Sequence, residues 1–170
     1  QKNARANADL CRIEPLLAAA APAEGFVQFE YSDAGYCNGG RHERIPAWRH
    51  GHAFKLNVFG IDLARELRSD YGDRLSRLRF IKVDAEGYDL YVLQSLESIL
   101  RDCRPTIKAE VYKNTSPAYR RELLGFFDGL GYDVHRIEQD PIRPGPLLTA
   151  ETCDRWRHYD VLCRPRPGRA

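Results

Sequence analysis

Between Phe80 and Leu90 the chain reads FIKVDAEGYDL, which sets a cation and two carboxylates at every second position, Lys82, Asp84 and Glu86. In an extended strand, residues two apart project to the same side, roughly 6.6 Å apart at 3.3 Å per residue. Lys82 and Asp84 therefore share a face near the end of a strand. Glu86 falls in the following turn, where Gly87 permits sharp or left-handed geometry. Carboxylates so placed can orient a ligand or take a proton. Two blander readings stand beside this one. A lysine inside a buried strand needs a paired charge, so the group can be a structural ion pair with a helix cap. Asp and Glu at this spacing also suit a metal, but the sequence offers no further clear ligand cluster and no metal is expected.

The elements that must position these residues follow from patterning. Phe26–Tyr31, Phe54–Val58, Leu78–Val83, Thr106–Tyr112, Tyr132–Ile137 and 158–163 read as strands, rich in the branched and aromatic residues that suit a pleated surface. Ile13–Ala21 is apolar but too short for periodicity to separate strand from helix. Residues 3–10 can continue a helix. Asp62 caps a helix running to about Arg68, with Leu63 and Leu67 on one face. After Gly87 a helix carries an apolar stripe of Leu90, Leu93, Leu96 and Leu100, with Arg101 in its last turn. Ser116 and Pro117 start another helix that Gly131 ends. Residues 32–52 form a long Gly-, Asn- and His-rich loop, and 139–151 a Pro-rich one. Strands alternating with helices across short joins imply α/β architecture and a largely parallel sheet. Ligands of such sheets sit beyond the carboxyl ends of the strands.

At 170 residues the chain is the size of one domain. With 43% hydrophobic and 29% charged residues it can build a core beneath a solvated surface. A net charge of +2, with basic residues dispersed apart from the RPRPGR tail, argues against a nucleic-acid partner. No apolar run reaches the length of a membrane span. Five scattered cysteines without a CxxC pair fit a reducing, cytoplasmic setting. The Asn114-Thr115-Ser116 sequon is set aside for want of a secretion signal. The absence of methionine and the helix-like start lead us to expect a piece of a longer reading frame.

RFIKVDAEGYDLYVLQSL followed by RPTIKAEVY resembles the core signature of the FkbM family of S-adenosylmethionine-dependent methyltransferases. AAAAPAEGFVQFEYSDAGYCNGG, FKLNVFGIDLARELR and HYDVLCRP resemble other parts of that family in the expected order, so the resemblance spans nearly the whole chain. It implies a Rossmann-like, class I methyltransferase sheet, mostly parallel with a reversed last strand. It also implies S-adenosylmethionine as cofactor and methyl transfer to a hydroxyl of a sugar, lipid or polyketide-type small molecule or glycan. Under it Asp84 becomes the first candidate base and a donor-binding residue, Lys82 tunes the carboxylates, and Glu86 orients substrate. Glu110, Asn38 and Gly39 become substrate contacts, and the backbone at Ala20 and Ala21 lies near the adenine. His42, His50 and His52 sit in the loop that would cover substrate.

The family's glycine-rich donor loop and the acidic end of its second strand do not occur in this sequence. We therefore expect residues 1–170 to be an N-terminally truncated methyltransferase domain, inactive alone, with the Asp84 strand left as an edge and the first 60 residues packed abnormally. The rival readings are another doubly wound enzyme, such as one that modifies nucleotide sugars, and a non-catalytic remnant serving as an interaction module.

Overall fold

Alternating strands and helices build two four-stranded sheets in a computed structural model, which describes residues 2–21, 24–31, 39–40, 54–138 and 143–168. The N-terminal sheet contains β1 (Ala19–Ala20), β2 (Gly25–Tyr31), β3 (Gly39–Gly40) and β4 (Phe54–Ile61), in the order β1-β4-β2-β3. The C-terminal sheet contains β5 (Phe80–Lys82), β6 (Thr106–Val111), β7 (Tyr132–Arg136) and β8 (Tyr159–Pro165), in the order β5-β6-β8-β7. The first short helix, α1, is confined to Lys2–Ala6.

The expected α/β class holds, but the pairing differs from a largely parallel sheet. Among the described residues only β1–β4 and β5–β6 pair in parallel. β2 runs antiparallel to β4 over seven residue pairs, from Gly25 opposite Gly60 to Tyr31 opposite Phe54. β8 runs antiparallel to both β6 and β7. So β5, β6 and β7 share one direction, and the last strand is inserted between two of them with reversed sense. The reversed last strand agrees with the expectation from the family resemblance; strand periodicity carries no information about partner or direction, which is why the antiparallel β2–β4 pairing was not anticipated.

The helices begin and end where local chemistry dictates. The Asp62 side chain accepts the Arg65 backbone N–H at 3.0 Å and caps α2 (Leu63–Tyr71). The apolar stripe after Gly87 is one face but two helices, α3 (Asp89–Ser95) and α4 (Glu97–Cys103), broken at Leu96. α4 stops at Arg104, which takes a left-handed conformation. Its guanidinium donates to the carbonyls of Leu130, Gly131 and Arg166, each at 3.2 Å, tying three chain segments together. Ser116 caps α5 (Pro117–Gly129) through the Tyr119 N–H, with proline at the first turn.

These helices bury their apolar stripes against the C-terminal sheet. Leu90, Leu93, Ile99, Leu100, Ile107, Leu123 and Phe127 have essentially no solvent exposure. Among the described residues the main core, partly buried neighbours included, starts at Leu63. The chain before it contributes a smaller buried set of Ala19, Ala21 and Ile61, while Leu10, Leu16, Leu17 and Phe26 are exposed. At Gly60 a side chain would not fit, since a Cβ there would lie 2.8 Å from the Ala21 Cβ. This close approach seats the end of β1 against β4, where the Ala21 N–H donates to the Ile61 carbonyl at 2.9 Å.

Candidate functional site

β5 ends at Lys82, and the Val83 N–H still reaches the Lys108 carbonyl at 2.8 Å. The chain then leaves the sheet at its carboxyl rim. Lys82 and Asp84 do share a side, as the spacing requires, with Nζ donating to Oδ2 at 2.6 Å. The premise of a buried lysine is corrected, however. β5 has one neighbour among the described residues, and both side chains of the pair are about half exposed, at 51% and 49%. The Asp84 carboxylate raises the Lys82 pKa, the hydrogen bond being the larger cause. At such exposure a lone ion pair contributes between nothing and about 1 kcal/mol of stability.

The turn beyond carries more constraint. Glu86 has a positive φ of 51° and Gly87 follows at 99°. A residue with a side chain is unusual in this region, and such positions concentrate at functional sites. The turn leads straight into α3, whose first residue, Asp89, is fully buried. The Asp89 carboxylate accepts the Glu110 backbone N–H at 3.1 Å and the Gly87 N–H at 3.3 Å. It therefore stitches the rim turn to the end of β6. Burial pushes its pKa up to about 7, against the opposing pull of those backbone donors.

Glu110 stands at the end of β6 and is about nine-tenths buried. Its Oε1 meets His158 Nε2 at 2.7 Å, while its buried Oε2 has no hydrogen-bond partner among the described residues. Burial raises the Glu110 pKa, the His158 hydrogen bond opposes the rise, and the charges of Glu86 and Asp84 add to it. Tyr112, raised first by its own burial, feels Glu86 and Glu110 and hydrogen-bonds Glu86. Its ring meets the His158 ring edge-on at 6.2 Å. Glu86, Glu110, Tyr112 and His158 thus form one polar cluster on the rim.

His158 is held there by the approach to β8. Arg120, buried in α5, donates to the carbonyls of Trp156 at 2.6 Å and Arg157 at 2.8 Å. Its Nε donates to Thr115 Oγ1 at 3.2 Å. The sequence reading assigned no role to Asp89, Arg120 or His158. Only the DxEGxD pattern hinted at the first. His158 becomes a neighbour of Glu110 through the β6–β8 register, which sets Glu110 opposite Asp160 and Val111 opposite Tyr159, and Arg120 reaches the two residues before His158 from α5.

A cavity of about 370 Å³ opens beside α3, lined by Ala20, Ala21, Asp62, Tyr88, Tyr91, Gln94 and Ser95. Its size lies in the range of small-ligand sites. Tyr88 and Tyr91 stack at 4.7 Å with an interplanar angle of 28°. Ala20 and Ala21, expected near an adenine, thus line a cleft with two aromatic rings, a carboxylate, an amide and a hydroxyl. Lys82, Asp84, Glu86 and Glu110 do not line it. Gly39 lies in β3, opposite Tyr31. Asn38, His42, His50 and His52 lie outside the described residues. No group of three or more His, Cys, Asp or Glu among the described residues is placed to hold a metal ion.

The α/β scaffold, its polar rim and the adjoining cleft are compatible with an enzyme site, and the family comparison points to methyltransferases. Residues 58–134, from β4 to β7, match the family model described as the methyltransferase FkbM domain, so this stretch is similar to that family. The match takes in the Lys82–Glu86 turn, Asp89, Glu110 and all but two of the cleft residues. No curated protein and no solved structure matches the chain. No helix among the described residues is long and apolar enough to cross a membrane.

Proposed function

We propose that the protein transfers a methyl group from S-adenosylmethionine to a hydroxyl oxygen of a small molecule or glycan, on a Rossmann-like class I scaffold. The observation that carries this reading is that the FkbM-matching stretch supplies both the acidic rim turn and one wall of the adjoining cleft. The cleft suits the adenosyl end of the donor. The paired tyrosine rings offer an aromatic face, and Asp62, Gln94 and Ser95 supply polar groups around it. When bound, the donor supplies an electrophilic methyl group on a sulfonium.

An alcohol is a weak nucleophile, so the rim must orient it and accept its proton. Asp84 and Glu86 supply negative charge that orients the hydroxyl, with Lys82 fixing one Asp84 oxygen. Glu110, at the end of the neighbouring strand, faces the same rim and suits a substrate hydroxyl. The exposure of the Lys82–Asp84 pair favours a role in holding ligand over one in holding the fold.

Calorimetric titration of the protein expressed from its full reading frame with S-adenosylmethionine tests the reading. Saturable binding is expected. Tyr91→Ala is expected to weaken it about tenfold, equivalent to about 1.4 kcal/mol. Asp84→Ala is expected to abolish turnover without unfolding the chain. No heat of binding from a folded protein would overturn the assignment.

A further inference from the structure

We propose that His158 is the proton acceptor for the substrate hydroxyl, oriented and charge-compensated by Glu110. The inference deepens the methyl-transfer reading and rests on it.

Four observations lead here. His158 immediately precedes β8, which runs antiparallel to β6, so it stands at the carboxyl rim beside Glu110. Its Nε2 lies 2.7 Å from Glu110 Oε1. An ionised carboxylate can only accept, so this contact puts the imidazole proton on Nε2 and leaves Nδ1 as the basic nitrogen. The His158 side chain is half exposed, whereas Glu110 is nine-tenths buried. A base open to ligand, backed by a buried carboxylate, is the arrangement by which a histidine is oriented for proton abstraction. Finally, the ring is not free to drift. Arg120 clamps the carbonyls of the two preceding residues, and the Tyr112 ring packs edge-on beside it.

The charged groups around this pair come from several elements. Glu86 and Asp84 act on Glu110 from the rim turn. Glu110 and Tyr112 approach from β6 and its end, and Asp160 follows from β8, where it pairs with Lys108. Lys82 also lies within the field of Glu110. In the proton transfer, the hydroxyl proton moves to His158 Nδ1 and the O–H bonding pair stays on oxygen. That pair would form the bond to the methyl carbon as the carbon–sulfur bond of the donor breaks, its pair leaving on sulfur to give a neutral thioether. Glu110 stabilises the positive ring through its Oε1 and remains a carboxylate throughout.

Three measurements test the assignment. In the unliganded protein, long-range nitrogen NMR should show neutral His158 as the Nε2–H tautomer, and Glu110→Ala should erase that preference. His158→Asn should lower kcat by about 100-fold or more while leaving the affinity for S-adenosylmethionine unchanged. His158→Asn should also retain the wild-type circular dichroism. An Nδ1–H tautomer in the wild type overturns the Glu110-oriented base. Unaltered kcat in His158→Asn overturns the proton-accepting role. Failure of wild-type protein to bind the donor overturns the methyl-transfer reading itself and this assignment with it, even with the tautomer as expected.

Discussion

At the scale of single residues, the rim is governed by how much water each carboxylate keeps. Asp84 is half exposed and meets an ammonium, Glu110 is nearly buried and meets an imidazole, and Asp89 is wholly buried and meets only backbone N–H groups. Burial without a counter-charge raises a carboxyl pKa, and Asp89 accordingly sits at about 7 against a reference of 3.8. Between those two values the folded chain keeps a proton that the unfolded chain has released. Stability from this group is therefore fully present below about pH 4 and is lost as the pH rises through 7, on the order of 4 kcal/mol in total at 1.36 kcal/mol per unit. Urea unfolding between pH 4 and 8 should show that decline in the wild type and a shallower one in Asp89→Asn. Because Glu110 is coupled to Asp89 and titrates in the same direction, the difference between the two proteins is the quantity to read. Parallel curves would show that Asp89 is already ionised at low pH.

At the scale of elements, Arg120 does for the approach to β8 what Asp89 does for the start of α3. Each satisfies backbone groups that no strand or helix ladder reaches. The Arg120 guanidinium gathers carbonyls from Trp156 and Arg157, while its Nε reaches Thr115 before α5. It thereby locks a helix to an irregular segment. Arg120→Met keeps most of the apolar bulk but orphans those carbonyls. Each charge-assisted bond is typically worth about 1.5–3 kcal/mol, so we expect a loss of roughly 3 kcal/mol by denaturant unfolding. Activity should fall by more than the unfolded fraction explains, because His158 loses its tether. A stable Arg120→Met protein with full activity would show the segment to be held by β8 pairing alone.

At the scale of the whole molecule, stability is unevenly placed. The main core lies between the C-terminal sheet and helices α3, α4 and α5, and no described residue before Leu63 joins it. Leu17 is fully exposed, and Leu10 nearly so. Local opening is easiest where few apolar contacts close over the backbone. Amide exchange should therefore be fast from Lys2 to Ala18, intermediate in β2 and β4, and slowest in β6, β8 and α5. Protection of the first segment equal to that of β6 would contradict this gradient. The sequence by itself determined the elements and their local ends. Asp62, Ser116 and Pro117 cap their helices because capping needs only neighbours three residues away. The leucines after Gly87 fixed the buried face, and alternation put Lys82 beside Asp84. The sequence also led us to expect the strand of Lys82 at an edge, and among the described residues β5 has one neighbour, which leaves Lys82 half exposed. Only the tertiary structure decided the surroundings of the turn. It alone turned Glu86 left-handed and buried Asp89. It also brought His158 to Glu110 across 48 residues, because antiparallel register is a property of two strands together and is written in neither one.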